Sequence, residues 1–217
     1  MFQIRSAALT VLALIVLAGA DRACAQERVR DVVYGRKFGM ALTMDVWKPA
    51  KQNGSGVHLS SSHFANLAVE GEMAVRLSKD LPSRPLSAEE CREAIAEVFP
   101  VIELHHYVLP RAWPPGQWLI ASNGMHAGFV LAEAESRCSG LANFAYNLSI
   151  RNKQVVVGAV EDAASLTCPI GSLRWLAGRL AQFGLQLRKG QVILTGSPMK
   201  LYPVAPGSRI VVEAPPL

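Results

Sequence analysis

The sequence predicts an α+β domain. Three observations carry that prediction. Runs with strand period and runs with helical period are mixed along the chain rather than strictly alternating. No internal repeat or low-complexity tract interrupts them. The roughly 190 residues that follow the apolar N-terminus are enough for one domain with a sizeable core.

Residues 1–25 read as a secretory signal peptide. Arg5 supplies a positive n-region, Ala7 to Ala20 is apolar and free of charge, and Ala23-Cys24-Ala25 offers a small-x-small cleavage site. The apolar core is shorter than the ~20 residues that span a bilayer. The expectation is export, to a bacterial periplasm, with no stable membrane insertion once the signal is removed. Residues 26–66 follow as N-terminal strands and linker. Val29 to Tyr34 and Ala41 to Trp47 read as strands around a glycine-containing turn, Lys48 to Gly56 as a polar loop, and Val57 to Asn66 as serine-rich without a clear period. Residues 67–217 hold the remaining elements. Val69 to Leu77 alternates as a strand. Ser87-Ala-Glu-Glu90 is a capping-box pattern that opens a helix predicted to run to about Val98. Val101 to Val108 returns to strand, a Pro-rich loop reaches Pro115, and Trp118 to Leu131 is apolar with two interrupting glycines. Phe144 to Ile150 and Gln154 to Val160 flank a hairpin turn at Arg151-Asn152-Lys153. Leu173, Leu176, Leu180 and Phe183 have helical spacing, with Gly184 placed to end that helix. Val192 to Thr195 and Arg209 to Val212 are the last strands.

The chain carries 22 Lys+Arg against 17 Asp+Glu, a net charge of +5. Without Arg5, Asp21 and Arg22 the balance is 20 against 16, or +4. No block of like charge accompanies this mild excess, so a nucleic-acid partner is not expected. Loss of Cys24 with the signal leaves Cys91, Cys138 and Cys168, too widely spaced for a zinc pattern. One disulfide and a free thiol are compatible with an oxidising compartment, and the spacing does not select the pair.

The residues that carry chemistry are three glutamates in apolar surroundings: Glu70 and Glu72 in Val69-Glu-Gly-Glu-Met-Ala-Val75, and Glu103 in Pro100-Val-Ile-Glu-Leu104. On a strand, positions i and i+2 share a face, so Glu70 and Glu72 project side by side. Two desolvated carboxylates so placed repel unless one is protonated or a cation lies between them. A third carboxylate from another apolar segment favours the cation, and oxygen donors suit Mg2+ or Mn2+. An isolated E-x-E pair is more often simply solvent-facing; Glu103 in its own apolar frame argues against that reading here.

Further along, an ordered set of motifs resembles the fumarylacetoacetate hydrolase superfamily, in particular its 2-keto-4-pentenoate hydratase and 2-oxo-acid decarboxylase branch. The set comprises Val69-Glu-Gly-Glu-Met-Ala, Lys79-Asp-Leu-Pro82, Phe99-Pro-Val-Ile-Glu103, Ile120-Ala-Ser-Asn123 with Gly128-Phe-Val-Leu131, Cys168-Pro-Ile-Gly-Ser-Leu-Arg-Trp-Leu-Ala177, and Leu187-Arg-Lys-Gly-Gln-Val-Ile-Leu-Thr-Gly-Ser197 with Pro203-Val-Ala-Pro-Gly207. The resemblance implies a mixed β-sheet roll with a few flanking helices, usually assembled as a homo-oligomer. It implies that Glu70, Glu72 and Glu103 bind Mg2+ or Mn2+. A 2-keto acid chelates such a cation through its carboxylate and carbonyl, which stabilises enolate character. Hydration of a 2-hydroxy-dienoate is the expected reaction. Decarboxylation and C–C hydrolysis through the same enolate are the alternatives within the superfamily, and a non-catalytic periplasmic 2-keto-acid-binding protein is the alternative outside catalysis.

Within that frame, Asn123 donates a hydrogen bond to substrate or orients a water, or else stabilises its turn. Thr195, Gly196 and Ser197 end a strand where N–H groups and hydroxyls could hold the substrate carboxylate, unless they form an ordinary strand-to-loop turn. His105, His106 and His126 are further acid/base candidates; of the adjacent pair, one must face away from Glu103. Cys168 stands before Pro169 where the family carries histidine or asparagine, and reads as a packing residue. Gly35-Arg-Lys-Phe-Gly39 resembles the Gly-x-Lys-x-Gly strand of the hydratases, which puts Lys37 in the proton-transfer role or leaves it structural. Two departures stand out: the stretch from Lys37 to Glu70 is shorter than the family pattern, and a further family strand is expected where Pro216-Leu217 stand. Val33 to Pro49 also resembles the opening strands of an α/β-hydrolase, but no Gly-x-Ser-x-Gly elbow occurs to complete an esterase.

Overall fold

The computed structural model describes residues 57–109, 116–131, 146–163 and 168–215 in full, and the backbone of four strands N-terminal to them. Those four strands are β1 (Ser6–Ala7), β2 (Thr10–Val16), β3 (Glu27–Lys37) and β4 (Met40–Lys48). They are followed by β5 (Val57–His58), β6 (Leu67–Leu77), α1 (Ala88–Glu93), β7 (Ile95–His106), α2 (Gly116–Ala121) and β8 (His126–Leu131). The hairpin β9 (Leu148–Asn152) and β10 (Val155–Val160) comes next, then α3 (Pro169–Ala181), β11 (Val192–Leu194), β12 (Tyr202–Pro203) and β13 (Arg209–Glu213).

The strands form two mixed sheets. One runs β11-β6-β7-β8-β4-β3, with β12 also paired to β6; the other runs β1-β2-β13-β9-β10, with β5 beside β2. The pairs β4–β8 and β2–β5 are parallel and the others antiparallel. The long β6–β7 pair forms the centre of the first sheet. Gly71 explains how the second sheet approaches it: a methyl group there would lie 3.1–3.2 Å from Val212 and Ile150. The odd positions of β6 therefore face β9 and β13, and the even positions, Glu70 and Glu72 among them, face away. Val69, Val75, Phe99, Ile102, Leu104, Ile150, Ile210 and Val212 fill one continuous core.

Two elements differ from the sequence reading. The capping box is present, with Glu90 N–H donating to Ser87 Oγ (3.1 Å) and Ser87 N–H to the Glu90 carboxylate (2.9 Å). The helix it starts nevertheless ends at Glu93 rather than near Val98. Ile95 to Val98 pair with Leu77 to Val75 instead, and Pro100 disfavours the helical conformation for Phe99 before it. In the serine-rich stretch, Val57–His58 forms a short strand and Ser61–His63 a 3₁₀ turn. The end of α3 follows expectation. Gly184 is left-handed (φ +67°), Leu185 N–H bonds to Leu180 C=O (3.0 Å), and Gly184 N–H bonds to Ala181 C=O (3.0 Å), a Schellman closure. Among the described residues, no helix is long and apolar enough to cross a membrane.

Candidate metal centre

The β6–β7 register builds the site. Glu103 lies directly opposite Glu70, and His105 opposite Ala68, so both share the face of Glu70 and Glu72. His105 Nε2 sits 3.6 Å from Glu70 Oε2 and 3.5 Å from Glu103 Oε2. One donor atom from each of Glu70, Glu103 and His105 lies within 4.8 Å of the other two. His106 points the other way, where its Nδ1 accepts from Ala65 N–H (3.1 Å) and its ring tilts against Phe64.

The ring of His105 is buried, and its Nδ1 lies 3.3 Å from the Gly124 carbonyl. A carbonyl only accepts, so Nδ1 carries the proton and Nε2 faces the carboxylates. That carbonyl is held on a tight turn in which Asn123 (φ 54°), Gly124 (φ 66°) and Met125 (φ 61°) are all left-handed, a conformation two of the three adopt without being glycine. The second oxygen of Glu103 is engaged separately, 2.5 Å from His126 Nδ1.

Glu72 lies deepest, with 1% of its surface exposed and no hydrogen-bond partner for either oxygen. It falls outside the compact Glu70–Glu103–His105 group. Burial pushes its pKa well above the ordinary carboxylate value, and the charges of Glu103 and Glu70 push the same way; the nearby Gly196 amide opposes them. Glu103 shows the contrary balance. Burial would raise it, but His105 and His126 overrule burial and hold its pKa at about 2. For His105, burial opposes the charge, while Glu103 and Glu70 raise its pKa to about 10. Two carboxylate oxygens, a ring nitrogen and an orphaned carboxylate on one face are a donor set that fits a divalent cation.

The other expected site residues are distributed unevenly around this centre. Thr195-Gly196-Ser197 runs beside β6, and Gly196 (φ +96°) is next to Glu72. The two hydroxyls are committed elsewhere: Thr195 Oγ1 donates to Met73 C=O (2.8 Å) and Ser197 Oγ to Gly71 C=O (3.0 Å). They tie the end of β11 to β6, where the Thr195 N–H also bonds to Met73 C=O (3.1 Å) and the Gly196 amide is directed at Glu72. Asn123 is on the turn that presents the Gly124 carbonyl to His105. Lys37 closes β3 opposite Met40, and its side chain lies outside the described residues. Cys168, expected to pack inside, is exposed and precedes α3 as its N-cap; it and the buried Cys91 are free thiols, and Cys138 lies outside the described residues. A cavity of about 410 Å³ opens between α3 and β11, lined by Ser172, Trp175, Leu176, Leu194, Thr195 and Gly196. Gly196 is thus common to the cavity and to the surroundings of Glu72.

His105 is the site residue that the sequence reading undervalued. Strand alternation from Glu103 places residue 105 and not 106 on the same face, so the signal was present in the spacing itself.

Residues 41–217 match the fumarylacetoacetate (FAA) hydrolase C-terminal family. The chain is 27% identical to the 2-hydroxyhexa-2,4-dienoate hydratase of Comamonas testosteroni, over 73% of this chain and 60% of the relative. It is 29% identical to the 2-keto-4-pentenoate hydratase of Paraburkholderia xenovorans, over 64% of this chain and 52% of the relative. Among solved structures, 4-oxalocrotonate decarboxylase from Pseudomonas putida G7, complexed with magnesium and adipate, superposes with a TM-score of 0.62 at 24% identity. That superposition covers 70% of this chain and 58% of the decarboxylase, and it shows a shared fold. The chain thus spans between about half and three fifths of the length of these proteins.

Proposed function

The chain belongs to the fumarylacetoacetate hydrolase family, and from that premise we propose that it is a divalent-metal-dependent hydratase acting on a small 2-hydroxy-dienoate or 2-keto acid. The observation that carries the reading is the convergence of Glu70, Glu103 and His105 beside the buried, unpartnered carboxylate of Glu72. The hydratase names of the relatives support the reaction class.

A bound Mg2+ or Mn2+ would supply Lewis acidity to a chelated keto-carboxylate and so stabilise the enolate. Glu70, Glu72 and Glu103 would hold it. His126 fixes one oxygen of Glu103 and thereby the direction of the other. Thr195, Gly196 and Ser197 line the side on which a substrate carboxylate would sit, with Gly196 shared between the neighbouring cavity and Glu72 and the two hydroxyls committed to β6. The apolar walls from Trp175, Leu176 and Leu194 suit a short hydrocarbon tail. Asn123 is assigned to orienting substrate or water, and Lys37, on the strength of the family pattern, to proton transfer. Residues 1–25 are assigned to export into a bacterial periplasm, and their removal would take β1 and β2 out of the second sheet and leave β13 at its edge. A homo-oligomer is proposed as the working state, supported by Val155 and Val156, which stand exposed on β10 at the end of its sheet.

The test is ultraviolet-monitored consumption of 2-hydroxypenta-2,4-dienoate by the full chain, with Mg2+ or Mn2+ and with chelator. Metal-dependent loss of the dienol and appearance of the hydroxylated keto acid are expected, with Glu103→Gln slower by ~100-fold or more, because even outer-shell changes cost metal sites 10–100-fold. A folded, metal-loaded protein that leaves the dienol untouched would overturn the reading, and release of CO2 from a 2-oxo acid would replace it with decarboxylation.

A further inference from the structure

We propose that His105 is itself a metal ligand through Nε2, and that this nitrogen makes the centre select a borderline first-row divalent ion such as Mn2+ over Mg2+. The inference rests on the metal-dependent reading above and deepens it. Three independent observations carry it.

The first is the orphaned nitrogen. His105 Nε2 is buried and has no hydrogen-bond partner, yet it points at one oxygen of Glu70 and one of Glu103, 3.6 and 3.5 Å away. Those separations are too long for good hydrogen bonds, so without a cation the protonated ring meets the two carboxylates only as a loose ion pair. A cation between the three atoms takes the place of that proton and bonds to all of them.

The second is the outer support. Metal-bound imidazoles almost always donate their remote N–H to a carbonyl or carboxylate, which fixes tautomer and ring plane. His105 Nδ1 meets the Gly124 carbonyl in this way. The carbonyl is delivered by three successive left-handed residues, and non-glycine residues bear that conformation at a cost. Such a turn, placed behind the ring of His105, is accounted for if it positions a ligand.

The third is the division of labour on Glu103. His126 takes Oε1, so Oε2 remains directed towards Glu70 Oε2 and His105 Nε2. The two histidines therefore differ in role: His126 orients a carboxylate, and His105 completes the donor set. Hard Mg2+ favours oxygen donors and holds its waters tightly, whereas imidazole nitrogen suits transition ions. A mixed oxygen–nitrogen set shifts the balance towards the latter.

The test uses Mn2+ bound to the full-length chain, read by electron spin-echo envelope modulation and by titration against Mg2+. The expected spectrum shows coupling to an imidazole 14N, present in the wild type and in His126→Gln and lost in His105→Gln. His105→Gln should lower Mn2+ affinity by ~100-fold while Mg2+ affinity changes by less than ~3-fold. Mn2+ bound to the wild type without nitrogen coupling would overturn the assignment and leave a carboxylate-only centre in place. Coupling that disappears in His126→Gln but persists in His105→Gln would move the ligand to the other histidine and overturn it as well. Failure of the wild type to bind any divalent ion would overturn both this assignment and the reading beneath it. A wild-type spectrum without nitrogen coupling overturns the assignment whether or not a variant folds, and either variant alone assigns a coupling that is present: one that persists in His126→Gln belongs to His105, and one that persists in His105→Gln does not.

Discussion

Glu72 sets the strongest conflict between stability and function at the scale of one residue. An ionised carboxylate without hydrogen bonds in the interior destabilises the fold unless a cation joins it. Its pKa is raised above the ordinary 4.5, so the folded chain keeps the proton to higher pH than the unfolded one. Its effect is therefore least harmful below pH 4.5, and stability falls as pH rises from there towards the folded-state value. Glu72→Gln removes the charge at nearly constant shape. In chelator at pH 8 the variant should be more stable than wild type by about 1–3 kcal/mol, and the difference should vanish near pH 4. Thermal melts at the two pH values check this, and an equal shift at both would contradict it. The carboxylates were legible in the sequence because glutamates in apolar frames are conspicuous. His105 was less so: adjacent histidines look alike until strand alternation from Glu103 is applied, and the supporting carbonyl of Gly124 comes from a turn whose φ angles no motif announced.

At the scale of the element, the central feature is that β6 is used on both faces. The glycine of Glu-Gly-Glu is required on the sheet-facing side, where a methyl would meet Val212 and Ile150 at 3.1–3.2 Å. Gly71→Ala sets two effects against each other. Alanine restricts the unfolded chain and gains about 0.5–1 kcal/mol over glycine in a strand, while overpacking costs about 1–3 kcal/mol. The overpacking should win, and a melt in chelator should show Tm lowered by about 2–6 °C; an unchanged Tm would mean that the sheets yield without cost. Most elements followed from local signals, including the Ser87 cap, the β9–β10 hairpin and the Gly184 closure. The end of α1 did not. Ile95 to Val98 can be written with either period, and pairing with β6, a contact distant in sequence, decided for strand.

At the scale of the whole molecule, the cation should act as a structural ligand of the native state. It binds the folded chain and not the unfolded one, so Mn2+ at ~100 times Kd should add about 2.7 kcal/mol and raise Tm by about 5–10 °C. Differential scanning calorimetry with Glu103→Gln as control checks it; the control should gain little. The two-sheet frame itself was only partly legible, because the sequence marks strands but not which sheet each joins, and β13 lies between β2 and β9 for reasons of distant pairing. A kinetic consequence follows from where the donors sit. Glu70, Glu72, Glu103 and His105 all come from β6 and β7, which are neighbours along the chain as well as in the sheet. Loop closure between them is cheap compared with docking the distant β11 and β13. The hairpin can thus assemble its ligands early in folding, while Glu72 is still hydrated and before the Gly196 turn closes over it. Metal present during refolding should then accelerate the folding limb more than it slows unfolding, an order of events that stopped-flow measurements with and without Mn2+ would register directly.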